Sequence, residues 1–163
     1  MASVLIALGG NVGDVRATFR KAIGNICGMA QAGLVARSSD YETPPVGDIP
    51  QANFINAVIE IDTDLDPHAL LFTLHKIEHK FGRNRASEVR WGPRPLDLDM
   101  IAYDDVVMIK PELVLPHPAA TQRAFVLVPL AEIAPARKIA GKTVAEHLAK
   151  LSIEGIVKLP ALD

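Results

Sequence analysis

The chain has 163 residues, of which 49% are hydrophobic and 22% are charged. This length favours a single domain spanning residues 1–163, and the apolar fraction supports a packed core rather than intrinsic disorder. The formal net charge is −2, so no overall positive field draws the chain to nucleic acid or to an anionic membrane. The single cysteine, Cys27, cannot form an internal disulfide, and we expect a buried thiol in a reducing compartment.

The start of the chain is apolar only over residues 1–8 and lacks the basic segment that opens a signal peptide. The longest later apolar run, residues 124–130, is far shorter than a membrane span and contains Pro129. We therefore expect a cytoplasmic protein with neither a membrane partner nor a nucleic-acid partner.

The first part of the chain predicts two strands separated by a helix. Residues 3–8 are typical of a buried strand and lead into a glycine-rich turn at residues 9–13. After Asp14, apolar residues recur at helical spacing as far as residue 30. Residues 34–42 predict a second strand, which ends in a stiff loop because two prolines and a glycine follow.

The next predicted strand, residues 54–62, has one apolar face and one mixed face. Phe54 and Asn56 lie on the mixed face, where an aromatic ring and an amide could stack a flat heterocycle and hydrogen-bond its edge. An aromatic residue in a strand is more often part of the core, so this pattern alone is a weak indication.

Further helices and strands follow in the second half. In chain order, they are a helix capped by Asp66 and ended by Gly82, a basic loop at 83–95, a strand at 96–103, a short strand at 106–109, a helix at 124–132 and a last helix opened by the capping pair Thr143 and Glu146. Strands and helices in this order indicate an α+β sandwich.

Asp97 and Asp99 are two residues apart in the predicted strand at 96–103, so both carboxylates should point to one face. Their Cα atoms should be about 6–7 Å apart. Two like charges at that separation favour a cation between them, and oxygen ligands without a nearby cysteine suit Mg²⁺. The alternative is that the pair belongs to the water-exposed face of an edge strand.

The loop before these aspartates is rich in arginine, with Arg83, Arg85, Arg90 and Arg94 framed by glycine and proline. Guanidinium groups pair with phosphate oxygens through two parallel hydrogen bonds. Phosphoryl transfer depends mainly on positioning and charge neutralisation, which metal ions and arginines provide, and such a loop could also close as a lid. The alternative is a solvated loop whose arginines form surface salt bridges with the aspartates.

Taken together, these segments resemble those of a known family, the pterin pyrophosphokinases. The resemblance rests on seven blocks in the same order: LGGNVGD at 8–14, YETPPVG at 41–47, FINA at 54–57, GRNR at 82–85, RWGPRPLDLD at 90–99, LPHP at 115–118 and RAF at 123–125. Several blocks in order are far more specific than any one of them.

The resemblance implies an α+β fold of the ferredoxin-like type, a mainly antiparallel sheet with helices packed on it. It also implies transfer of the terminal diphosphate of ATP to the hydroxymethyl group of 6-hydroxymethyl-7,8-dihydropterin, which gives AMP and the pterin diphosphate in folate biosynthesis. ATP and the pterin would be the ligands, two Mg²⁺ ions would bind with ATP, and the enzyme would be a monomer.

Roles for individual residues follow from the same resemblance. Asp97 and Asp99 would bind the metal ions, and Arg83 and Arg94 would act with them as catalytic residues. The pterin would contact Thr43, Val46, Phe54, Asn56 and Phe125. ATP would contact His75, Glu78, Arg85, Trp91, His117 and Arg123. Three positions differ from the residues usual in the family: Gly10, His75 and Glu112.

Two other functions compete with this interpretation. His75, Glu78 and His79 match the H-x-x-E-H pattern of some zinc hydrolases, whose activity would depend on Glu78 and not on Asp97. A non-catalytic RNA-binding module is a second alternative, because ferredoxin-like folds include such domains. The negative net charge and the lack of an aromatic-rich RNA-binding strand count against it.

Overall fold

An antiparallel sheet forms the centre of the computed structural model, which describes residues 1–84, 86 and 88–162. The strands of this sheet are β1 (Ala2–Gly10), β2 (Gly33–Arg37), β3 (Tyr41–Thr43), β4 (Phe54–Thr63), β5 (Asp97–Tyr103) and β10 (Val157–Lys158). Their order across the sheet is β10-β3-β4-β1-β5, and β2 pairs with the same edge of β4 as β3 does. Every pair is antiparallel.

Helices cover both faces of this sheet. The helices are α1 (Val15–Met29), α2 (Pro67–Lys80), α3 (Ala124–Ile133) and α4 (Val144–Leu148). Two small hairpins and a short 3-10 helix (Ala120–Gln122) complete the described elements. The hairpins are β6 (Met108–Lys110) with β7 (Leu113–Leu115), and β8 (Lys138–Ile139) with β9 (Lys142–Thr143). The expected ferredoxin-like α+β fold, mainly antiparallel with helices packed on the sheet, is confirmed.

Two hydrophobic cores lie on opposite faces of the sheet because side chains alternate along each strand. Val4, Ile6 and Leu8 of β1 pack into the core shared with α1 and α2. Leu5 points the other way, into the core beneath α3. Burying one such leucine or isoleucine contributes about 2 kcal/mol, so β1 and β4 in the middle of the sheet anchor the fold.

The predicted helix starts are confirmed by their caps. Asp14 accepts a hydrogen bond from the Ala17 N–H and Asp66 accepts one from the Ala69 N–H, which satisfies donors that the first turn leaves unpaired. At α4, Thr143 and Glu146 form the reciprocal capping box that the sequence predicts.

The prediction of one strand over residues 34–42 is wrong. The chain forms β2 and β3 instead, with a break at residues 38–40. Asp40 is buried there and pairs with both Arg16 and Arg37, while the Ser38 hydroxyl accepts the Val58 N–H at 2.9 Å. The Ser38 N–H still donates to the Val58 carbonyl, but the Ser38 hydroxyl takes the place of the return bond, so the regular ladder ends here.

The sequence pattern also fails to predict the shortest strands. It predicts none of β7, β8, β9 and β10, and β6 begins two residues later than expected. Strands of two or three residues are too short to show a period, and their pairing is set by partners distant in sequence. Among the described residues, no helix is long and apolar enough to cross a membrane.

Candidate active site

Two cavities border the start of β5. The first, of about 290 Å³, is called here the aromatic pocket. Its walls carry aromatic rings and polar side chains, and the lining includes Thr43, Val46, Phe54, Asn56, Trp91, Asp97, Arg123 and Phe125. The second, of about 330 Å³, is called the histidine pocket, and its lining includes Leu71, His75, Leu98, Asp99, Glu112, Val114 and His117. Asp97 therefore borders one cavity and Asp99 borders the other.

In the aromatic pocket, an amide is held in a fixed orientation next to the rings. Asn56 is buried and its Nδ2 donates to the Thr43 Oγ1 at 2.7 Å, a bond between the paired strands β3 and β4. A Cβ added at Gly9 would lie 3.1 Å from the Asn56 Oδ1. The absence of a side chain at Gly9 thus leaves room for the amide, and this floor fits a flat ligand with polar edges.

The two aspartates occupy one face of β5, as predicted, since Asp97 pairs with Gly9 and Asp99 with Ala7 across the ladder. Asp97 Oδ1 accepts a hydrogen bond from Arg83 at 2.5 Å. Burial, followed by the charges of Asp97 and Glu78, raises the pKa of Asp99 to about 7. An anion disfavoured by its surroundings in this way gains from a cation placed beside it.

This donor set fits a hard cation that is shared with another molecule. Carboxylate oxygens are the ligands that Mg²⁺ prefers, and Mg²⁺ in nucleotide sites is bound by one or two carboxylates together with phosphates. In the part of the chain that the structure describes, no group of three histidine, cysteine or acidic side chains could hold a metal by itself. Asp97 and Asp99 could therefore hold Mg²⁺ only together with ligands such as phosphate oxygens.

Arg83 is buried rather than solvated. Its guanidinium forms ion pairs with Glu78, Glu88 and Asp97. Burial alone would lower the pKa of Arg83, but Glu88, Asp97 and Glu78 raise it overall, so the side chain stays charged. For Arg83, the alternative of a solvated surface salt bridge is wrong, because 5% of the residue is exposed.

Glu78, on α2, is one of the acids that form ion pairs with Arg83. Its Oε2 accepts hydrogen bonds from Arg83 Nη1 and from the Leu98 N–H at 2.8 Å. Since 1% of Glu78 is exposed, its carboxylate is buried against β5 and Arg83. The buried acid therefore supports the site by positioning its neighbours.

The arginine loop is tied to two other loops by side chains that the sequence analysis missed. Asn11 Oδ1 accepts the Arg94 N–H at 2.9 Å, and Asn11 Nδ2 donates to Gln51 Oε1 at 2.9 Å. Gln51 Nε2 in turn donates to the Trp91 carbonyl at 2.7 Å. The GGN turn contained a signal for this role, because an amide after two glycines can bond backbone groups on both sides.

The residues expected to contact ATP do not all meet in one place. His75 and His117 lie together in the histidine pocket, whereas Trp91 and Arg123 line the aromatic pocket. Burial, then the charge of Arg123, lowers the pKa of His117. Arg85 lies outside the described residues.

The zinc hydrolase pattern is not assembled. His75 and His79 are exposed, while Glu78 between them is buried against Arg83. Glu78 is thus engaged in the ion-pair network and does not act as a base beside two histidines. Among the residues that the structure describes, these three side chains do not form a metal-binding group.

Fold and site together define an α+β protein in which one acidic strand borders both a pocket lined by aromatic rings and a pocket lined by histidines. The model of the family 7,8-dihydro-6-hydroxymethylpterin-pyrophosphokinase (HPPK) matches residues 5–135. The chain belongs to this family.

Relatives and solved structures agree with that assignment. The chain is 47% identical over 159 residues to a 2-amino-4-hydroxy-6-hydroxymethyldihydropteridine pyrophosphokinase of Methylorubrum extorquens, covering 98% of this chain and 99% of the relative. It is 39% identical over 158 residues to the enzyme of the same name from Pseudomonas aeruginosa, covering 96% of each.

A crystal structure of Plasmodium falciparum HPPK-DHPS has the same fold, with a TM-score of 0.72 at 14% identity over 91% of this chain. The chain spans 45% of that longer protein. Neither the zinc hydrolase nor the RNA-binding alternative receives support from these matches.

Proposed function

We propose that this chain transfers the terminal diphosphate of ATP to the hydroxymethyl group of 6-hydroxymethyl-7,8-dihydropterin, in folate biosynthesis. The observation that carries the proposal is the position of β5: Asp97 borders the aromatic pocket and Asp99 borders the histidine pocket. A group that moves between two ligands must pass where the two ligand sites meet. Two carboxylates able to share a cation stand at that point.

The aromatic pocket is the pterin site in this proposal. Phe54 and Phe125 both line the pocket and supply ring faces for stacking. Asn56, oriented by Thr43, offers its carbonyl oxygen to the ring's N–H edge. Val46 lies at the exposed rim and supplies apolar contact and backbone groups.

The histidine pocket receives the nucleoside part of ATP. His75, His117 and Glu112 offer polar atoms around an apolar floor that includes Leu71 and Leu98. The triphosphate then extends past Asp99 toward Arg94, Arg123 and Trp91 at the edge of the aromatic pocket. Arg85 and Glu78 complete the expected set, Arg85 as a direct contact and Glu78 through the network beneath.

Asp97 and Asp99 would hold Mg²⁺, as two ions bound with ATP, and the metal supplies neutralisation of charge on the phosphate oxygens. Arg83 and Arg94 add positive charge near the transferred group, which favours the transition state more than the ground state. These residues therefore act by electrostatics and positioning rather than by covalent chemistry.

The reaction balances as an in-line displacement. The pterin hydroxymethyl oxygen attacks the β-phosphorus and gives its proton to solvent, and the bond from the β-phosphorus to the oxygen that bridges to the α-phosphate breaks. AMP leaves with that oxygen. We further propose that residues 1–163 act as a single domain, as a cytoplasmic monomer that binds neither membrane nor nucleic acid.

Product analysis tests the proposal. The protein is mixed with ATP, Mg²⁺ and 6-hydroxymethyl-7,8-dihydropterin, and nucleotides and pterins are separated by chromatography. AMP and a diphosphorylated pterin in equal amounts are the expected products. ADP would instead show single phosphate transfer, and unchanged ATP would refute the proposed activity.

A further inference from the structure

Glu88 occupies the edge of Arg83 that would bind a phosphate group. Arg83 Nε donates to Glu88 Oε2 at 2.7 Å and Arg83 Nη2 donates to Glu88 Oε1 at 2.9 Å, which is a two-bond pair. Arg83 Nη1 donates to Glu78 and to Asp97. Since a guanidinium has five N–H donors, Arg83 has one left within the described chain, too few for paired bonds to a phosphate.

The same carboxylate also faces the second catalytic arginine. Glu88 Oε1 lies 3.4 Å from Arg94 Nε, a buried nitrogen without a hydrogen-bond partner among the described residues. One carboxylate oxygen thus stands between the two guanidinium groups. A phosphate group of ATP bridging these arginines would need the same position.

We infer that Glu88 is an internal substitute for a phosphate group of ATP, which holds Arg83 and Arg94 in place and is displaced when the nucleotide binds. The inference rests on the proposed function, because it takes the two arginines as phosphate ligands. Glu88 is a positioning residue that competes with ATP. Its carboxylate keeps the positively charged side chains of Arg83 and Arg94 close together in the free enzyme, and this lowers the affinity for the nucleotide.

Two further observations support the replacement of the Glu88 carboxylate by a phosphate group. Glu88 belongs to the loop between α2 and β5, whereas Glu78 and Asp97 belong to the helix and the strand themselves. The side chain of Glu88 is 15% exposed, against 1% for Glu78. Asp97 is 25% exposed but lies within β5, so Glu88 is the acid around Arg83 that belongs to no helix or strand and still reaches water.

Binding of a non-hydrolysable ATP analogue with Mg²⁺, measured by calorimetry, tests the inference. Glu88→Gln keeps the shape but removes the charge, so the analogue should bind about tenfold more tightly, the effect of losing one or two charge-assisted bonds to the competitor. Glu88→Asp keeps the competing charge and should stay closer to the wild type. The Kd of the pterin should not change in either variant.

Asp64→Asn is the matched control. Asp64 is exposed, follows the far end of β4 and contacts the chain's amino terminus, so the same change of charge there should leave nucleotide binding unaltered. Analogue binding that is unchanged or weaker in Glu88→Gln would overturn the inference and assign Glu88 a purely supporting role. Failure of the proposed function is read separately, as the absence of AMP from the wild-type reaction.

Discussion

The carboxylate of Glu78 accepts a hydrogen bond from the backbone N–H of Leu98 at 2.8 Å, so a buried acid of α2 holds β5 at the residue between its two aspartates. The same oxygen binds Arg83. One side chain from beneath the sheet therefore fixes both the arginine and the strand that carries the acidic pair. Positions of catalytic groups are held most firmly when helices and strands support them in this way.

Replacing Glu78 should test this support. Glu78→Gln keeps an acceptor for Leu98 but removes the charge that faces Arg83, and we expect a loss of about 2 kcal/mol in the free energy of unfolding. Turnover should fall by about tenfold or more, since Arg83 loses its fixed position. Urea unfolding and steady-state kinetics measure the two effects. Full activity in a destabilised variant would show that Glu78 serves the fold alone.

The acidic pair should be needed for catalysis but not for folding. Asp97→Asn and Asp99→Asn should each lower kcat by at least about a hundredfold, because a bound metal contributes several kcal/mol to stabilising the transferred charge. The midpoint of thermal unfolding should stay close to that of the wild type in Asp99→Asn, whereas Asp97→Asn also removes a charge that faces the buried Arg83 and should lower the midpoint. Asp64→Asn serves as the control, and near-normal turnover in either site variant would refute the metal assignment.

The acidic strand illustrates what the sequence predicts well. The spacing of Asp97 and Asp99 indicates a shared face as soon as the segment is recognised as a strand, and the ladder to β1 confirms it. The mixed face of β4 likewise places Phe54 and Asn56 in one pocket. In both cases the period of the strand determines which side chains meet.

The arginine network shows what sequence patterns leave open. Arg83 stands in a basic loop, and charged loops are usually solvated, yet three acids from a helix, a loop and a strand surround it. The partner of a buried charge is chosen by tertiary packing, which no local pattern encodes. Asp40 follows the same rule, since it pairs with Arg16 and Arg37 in the break between two strands that the sequence predicts as one.

Phe125 should matter for the pterin more than for the nucleotide. Phe125→Ala removes a ring face from the aromatic pocket, and a loss of about 2 kcal/mol corresponds to about a thirtyfold weaker pterin Kd. The Kd of an ATP analogue should change by less than about threefold. Phe72→Ala is the control, because Phe72 is 66% exposed on α2 and lines neither pocket. Equal losses for both ligands would contradict the assignment of the pocket.

Thr43 should act through the orientation of Asn56. Thr43→Val keeps the shape of the side chain but removes the acceptor for the Asn56 amide, so the amide is free to turn. We expect about a tenfold increase in the pterin Kd with a smaller change in kcat. Thr63→Val is the matched control. Thr63 is also buried, but it lies at the opposite end of β4, where its hydroxyl donates to the Ala30 carbonyl. If both variants weaken pterin binding equally, Thr43 acts only through the general stability of the fold.

Tyr41 and Glu132 should give the fold a stabilising contact that depends on pH. The Tyr41 hydroxyl donates to Glu132 Oε1 at 2.6 Å, which ties β3 to α3. Burial alone would raise the pKa of Glu132, but the bonds from Tyr41 and Ser39 lower it overall. Because the pKa of Glu132 is lower in the folded state, its charge stabilises the fold at pH values above the pKa of an unfolded glutamate, about 4.3. This stabilisation is lost as the pH falls through the pKa of Glu132 in the folded state.

Tyr41→Phe should therefore cost about 1 kcal/mol at pH 7 and less near pH 3. In the control Tyr103→Phe, the lost bond goes to the Leu65 carbonyl, so its cost should not vary in this way. Urea unfolding at several pH values measures both, and equal costs for Tyr41→Phe at pH 7 and pH 3 would refute a charged Glu132 as the partner.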